Sequence, residues 1–167
     1  MPISLLQHWR VRRLKLRVWN RRLQERLRGI ASEFGSSVEC SVHVRWGPFY
    51  GGSMTVDRRF RRAKILIQLP YDGYLTANER QVLHRYSLLK TMLPYFILYH
   101  EAAHLLEIMP YIDSADLDGL KRHVASHRRL AAEAATASSS AYRELAFEEA
   151  ADRYAYRMIM KNREHAG

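Results

Sequence analysis

His100-Glu101-Ala102-Ala103-His104 sets two imidazoles and a carboxylate within one turn of helix. Positions i and i+4 share a helix face, so His100 and His104 can grip one metal ion together. Glu101 falls beside that face, where its carboxylate can take a proton from a water that the metal polarises. The chemistry implied is metal-assisted hydrolysis. With eight His and eleven Glu in 167 residues, such a pentad arises by chance in roughly one chain in 40, so its surroundings must decide. Tyr95-Phe96-Ile97-Leu98-Tyr99 leads in and Leu105-Leu106 leads out, and apolar side chains occupy most of the circumference from Tyr95 to Met109. His100, His104 and Glu107 share one polar stripe, with Glu101 beside it. A helix this apolar belongs in the middle of a domain, where polar groups must be paired or bound to metal. Two core histidines satisfied by backbone carbonyls are the plain alternative.

A catalytic zinc site takes three protein ligands and keeps one position open for water. The third is sought in Glu148-Glu149-Ala150-Ala151-Asp152, inside a helix predicted over 141–162. On that helix Arg143, Glu149, Arg153, Arg157 and Lys161 form one charged, solvated arc. Phe147, Ala151, Tyr154, Ala155, Met158 and Ile159 form the opposite, buried arc. Glu148 and Asp152 fall on the buried side one turn apart, whereas Glu149 sits at the charged edge and can pair with Arg153. Glu148 is therefore the expected third ligand, and Asp152 is expected to accept the free ring N–H of a ligand histidine. A buried ion pair at Glu148 is the alternative. Small Ala151 and Ala155 would let the two helices approach closely.

His100-Glu101-x-x-His104 followed by Glu148-x-x-Ala151-Asp152 resembles the gluzincin group of zinc metallopeptidases. Within that group it is similar to the minigluzincins and to the ImmA/IrrE-type peptidases, which carry Glu-x-x-Ala-Asn. The metzincin continuation is absent, because Glu107 and Pro110 stand where Gly and His would be required. The resemblance spans about residues 37 to 160 in organisation and some ten positions in specific sequence. It implies one Zn²⁺ held by His100, His104 and Glu148, with Glu101 as general base in the hydrolysis of peptide bonds. It also implies a zincin-like α+β fold, in which the HExxH helix packs under a small, mainly antiparallel or mixed sheet. The 43 residues between His104 and Glu148 exceed the thermolysin spacing, and the resemblance assigns no role to residues 110–141.

At this length one domain, 1–167, with its own core is expected. Charge is unevenly placed: residues 1–64 hold 15 Lys or Arg against 4 Asp or Glu, and the remainder holds 12 against 13. Only five of the 27 basic residues are Lys, and Arg is the better residue for bidentate phosphate or carboxylate contacts. Residues 1–34 form a basic amphipathic helical region. Its Arg face is either a plain solvated surface or a patch for nucleic acid, an acidic protein or an anionic membrane surface. A nucleic-acid- or partner-binding protein built on a regulatory or degenerate zincin domain is the alternative function. The single Cys40 excludes an internal disulfide, which favours the cytoplasm or export without disulfides. No apolar run approaches the roughly 18–20 residues of a transmembrane segment, and Arg10, Arg12 and Arg13 interrupt any secretory h-region.

Positioning these groups falls to the remaining elements. Leu16, Trp19, Leu23, Leu27, Ile30 and Phe34 recur at helical spacing and predict a helix near 14–34, bracketed by Gly29 and Gly35. Val38, Cys40, Val42, Val44 and Trp46 alternate with polar residues and predict a strand over 37–46. Further strands are expected at 53–57 and 64–69, and Lys64–Leu69 is the expected edge that takes up substrate main chain. Thr76 and Glu79 fit a capping box that opens a helix over 76–89. Pro94 suits the first turn of the HExxH helix, and Pro110 is expected to end it. Ser114 is the expected cap of a helix over 115–134, and Ser138–Ser140 an expected break. His123 and His127 form a second i, i+4 pair, but Arg122, Arg128 and Arg129 repel a cation, so a solvated surface is expected. His123, His127, Tyr142 and Tyr154 are the candidates for stabilising an oxyanion.

Overall fold

Apolar residues every three or four positions wind the start of the chain into a helix with one face for the core. The computed structural model of the chain describes residues 5–35, 38–137 and 139–164. Helix α1 spans Leu5–Gly29 and passes into a 3-10 turn over Ala31–Phe34. It begins well before the expected start near 14, because Leu, Gln and Arg are strong helix formers and outweigh the weak alternation of Val11–Trp19. Leu23, Leu27, Ile30 and Phe34 are buried, while Trp9, Val11, Leu14 and Val18 stay exposed.

Strands β1 (Glu39–Gly47), β2 (Gly51–Val56) and β3 (Arg62–Pro70) form one mixed sheet in the order β1-β3-β2. β1 runs parallel to β3 and β2 antiparallel to it. The register aligns Val42 with Ile65 and Met54, and Val44 with Ile67 and Gly52, so these residues share the face that meets the helices. Lys64–Leu69, expected as the substrate-binding edge, lies instead at the centre of the sheet with both flanks bonded. Its buried Ala63, Ile65, Ile67 and Leu69 suit a central strand. The outer flank of β1 is covered too, since the Val42 and Val44 N–H groups donate to Gln24 Oε1 at 2.8 Å and Asn20 Oδ1 at 3.1 Å. Among the described residues, β2 carries the flank that α1 leaves open.

Helix α2 (Ala77–Arg85) opens with the Thr76–Glu79 capping box. It stops short of 89, where Ser87 adopts a left-handed φ of 49°. Helix α3 (Leu93–Asp113) carries the HExxH segment and has Pro94 in its first turn. Pro110 does not end it. A proline so near the terminus forfeits only one helical hydrogen bond, and the helix closes a turn later. There Ala115, at φ 56°, donates to Ile112 O and Asp116 donates to Tyr111 O, a Schellman ending. Ser114 accordingly closes α3, its Oγ donating to Pro110 O at 2.7 Å. Asp116 opens α4 (Leu117–Ala137) by accepting the Gly119 N–H at 2.8 Å. The helix expected over 141–162 is two pieces, α5 (Ser139–Arg143) and α6 (Ala146–Glu164), broken at Glu144–Leu145. Of the expected serine break, Ser138 lies outside the described residues, and Ser139 and Ser140 are helical.

The architecture is thus α+β, with six α-helices among the described residues and one small mixed sheet. Helix α3 lies against β2 and β3 and packs along α6. Leu98, Ala102, Leu105 and Ala155 are fully buried around it. No helix among the described residues is long and apolar enough to cross a membrane.

Candidate metal centre

The burial of α3 leaves its polar stripe facing the first turn of α6. His100 and Glu148 are 8% and 3% exposed, so their polar atoms must find partners inside the protein. His100 Nε2 lies 3.1 Å from His104 Nε2 and 3.1 Å from Glu148 Oε2, and His104 Nε2 lies 3.5 Å from Glu148 Oε1. Around a tetrahedral zinc with bonds near 2.0–2.1 Å, neighbouring ligand atoms stand about 3.3 Å apart. Two imidazole nitrogens and a carboxylate at these separations form a group that could hold a metal ion. Glu149 points elsewhere, to Arg85 at 2.7 Å and Arg153 at 3.3 Å.

The rings are held from behind. His100 Nδ1 donates to Asp152 Oδ1 at 2.8 Å, which turns Nε2 toward the centre. Arg143 Nη1 donates to the same Asp152 oxygen at 2.9 Å. Arg143 was expected on the solvated arc of one long helix; the break at Glu144–Leu145 turns it back onto α6. Tyr142 Oη donates to Glu148 Oε1 at 2.7 Å. Burial and that carboxylate push the Tyr142 phenol well above its ordinary value.

Electrostatics at the site oppose burial with partners. Burial pulls the His100 imidazole down, but hydrogen bonds to Asp152 and Glu148 outweigh it and bring it up to about 9. Burial and the charge of His100 push His104 below its ordinary value. Burial would raise Glu148, yet the hydrogen bond and charge of His100, the Tyr142 hydroxyl and His104 hold it low. Among the described residues Glu101 has no such hydrogen bond, and burial pushes it up to about 7, with the charge of His100 opposing. Strand β2 crosses directly over Glu101. A Cβ placed on Gly52 would come within 2.4 Å of Glu101 Oε1 and 2.6 Å of Ile97 Cγ2, so any larger residue here would force the Glu101 and Ile97 side chains to shift.

The other candidates separate. Tyr154 Oη donates to Glu33 at 2.8 Å, which directs it to the 3-10 turn and away from the His100–Glu148 cluster. His123 and His127 are not on a solvated surface. Their side chains are 18% and 25% exposed, and both Nε2 atoms lie 3.5 Å from Glu107 Oε1. Arg122, Arg128 and Arg129 are exposed, because neighbouring positions on a helix diverge by about 100°. Glu107, His123 and His127 form a second group that could hold a metal ion. The stripe of His100, His104 and Glu107 was the sequence signal for Glu107, but nothing in the spacing showed α4 folding back onto it. A cleft of about 400 Å³ runs past both groups, lined by Gly52, Glu101, His104, Glu107, His127 and Phe147 among others. Compared with protein-family models, curated proteins and solved structures, the chain matches none.

Proposed function

We propose that this chain is a zinc-dependent endopeptidase of zincin type, with His100, His104 and Glu148 holding one Zn²⁺ and Glu101 acting as general base. One observation carries the reading: two imidazole nitrogens and the two oxygens of one buried carboxylate stand 3.1–3.5 Å apart, with the half-buried Glu101 carboxyl lining the same cleft. A zinc ion bound there supplies Lewis-acid polarisation of the scissile carbonyl and acidifies a water. Glu101 takes the proton from that water and passes it to the leaving amine, a shuttle best served by a carboxyl poised near neutrality. Asp152, itself held by Arg143, keeps His100 in the tautomer that offers Nε2. Of the four oxyanion candidates, Tyr142 is the one hydrogen-bonded to Glu148 beside Glu101, and its neutral hydroxyl can turn to a developing oxyanion. The open flank of β2 borders the same cleft, and an extended substrate would add to it as a fourth strand.

The test is cleavage of an unfolded protein substrate together with metal content. Glu101→Gln should keep zinc and lose turnover, Glu148→Ala should lose one zinc equivalent and all turnover, and Glu149→Ala should keep both. Undiminished cleavage by Glu101→Gln would remove it from the mechanism. Zinc lost by Glu149→Ala rather than Glu148→Ala would refute the ligand set.

A further inference from the structure

Helix α4 brings His123 and His127 over the far end of the polar stripe on α3. Both Nε2 atoms converge on one oxygen of Glu107 at 3.5 Å, and ligand atoms of the three residues all lie within 4.8 Å of one another. That separation is too long for a hydrogen bond between imidazole and carboxylate, which closes at about 2.7–3.2 Å. It is close to the edge of a tetrahedron around a first-row divalent cation. His123 Nε2 is buried and has no hydrogen-bond partner among the described residues, an orphan that a central ion would satisfy. The rings are fixed in this pose. His127 stacks on Phe147 with centroids 4.0 Å apart and planes 11° from parallel, and His123 packs on Tyr111 at 5.2 Å.

We propose that Glu107, His123 and His127 form a second site for a first-row divalent cation, zinc foremost, separate from the one between α3 and α6. Two imidazoles and one carboxylate are the donor set of zinc and its neighbours rather than of magnesium or calcium. Glu107 links the two centres. Its Oε1 faces the α4 histidines, while Oε2 lies 3.7 Å from Nδ1 of His104. Among the α4 residues whose burial is described, Gly119 and Leu120 at its start are buried, and the rest of the helix is half-buried or exposed. The second ion would therefore pin the middle of α4 to α3 and set one wall of the cleft.

The experiment is metal stoichiometry on the full chain, stripped with chelator, reloaded with excess zinc, desalted, and measured by elemental mass spectrometry against protein concentration. Wild type should hold two zinc ions per chain. His127→Ala and His123→Ala should each hold one, and so should Glu148→Ala, whose remaining ion sits on α4. The double variant Glu148→Ala, His127→Ala should hold none. One ion in wild type that vanishes in Glu148→Ala overturns the second site and spares the peptidase centre. One ion that vanishes only in the α4 variants supports the second site and sinks the peptidase centre. Should the His→Ala variants fail to fold, the wild-type count and the ion left in Glu148→Ala decide alone.

Discussion

Replacing Glu101 with Gln should stabilise the metal-free protein while abolishing turnover. Burial raises the Glu101 carboxyl from 4.5 to about 7, with the charge of His100 opposing and that of Glu148 adding to the rise. A group raised in the folded state stabilises it only when protonated. Its contribution is intact below the unfolded value of 4.5 and is lost as pH climbs through about 7. At 1.36 kcal/mol per pKa unit, a carboxylate forced to ionise in this site costs the native state about 3 kcal/mol at pH 8. At pH 5 the native carboxyl is protonated, and the same arithmetic leaves less than about 1 kcal/mol. Gln matches Glu in size and cannot ionise, so the variant should gain those amounts. For a domain of this size that is a rise in Tm of roughly 6–12 °C at pH 8. Urea unfolding of chelator-treated wild type and variant at the two pH values measures the difference directly. Equal stability at pH 8, or a gap that does not shrink at pH 5, would show that the carboxyl is not desolvated. Zinc should narrow the gap, because a nearby dication favours the carboxylate.

The remaining predictions concern the groups around it. Asp152→Asn removes the acceptor shared by His100 and Arg143, so zinc affinity should fall about 10–100-fold in chelator competition; unchanged affinity would deny Asp152 its part. Gly52→Ala puts a methyl 2.4 Å from Glu101 Oε1, which must move, and turnover should drop about 100-fold with zinc retained. A fully active Gly52→Ala enzyme would mean that β2 does not confine the base. In the metal-free chain His100 stays protonated up to about 9, and zinc needs its free Nε2. Zinc affinity, read in a His127→Ala chain, should therefore rise about tenfold per pH unit from 7 to 9 and then flatten. Calorimetry at pH 7.5 in buffers of different ionisation enthalpy should show about one proton released by this ring, and none released would refute it.

Whatever depends on a single element's period was legible in the order of residues alone. A 3.6-residue repeat is enough to set His100 and His104 on one face of α3, and to turn Glu148 inward while Glu149 turns toward Arg153. Alternation in Val38–Trp46 is likewise enough to mark a half-buried strand. The joining of distant segments was legible only in the packed fold. Periodicity cannot order strands, so the placing of β3 between β1 and β2, and with it the open flank, came from packing. The turn of Arg143 back onto Asp152 needed the break at Glu144–Leu145, and the meeting of His123 and His127 with Glu107 needed α4 to fold onto α3. Those arrangements join residues on different elements, and their geometry exists only once the apolar faces of those elements have found one another.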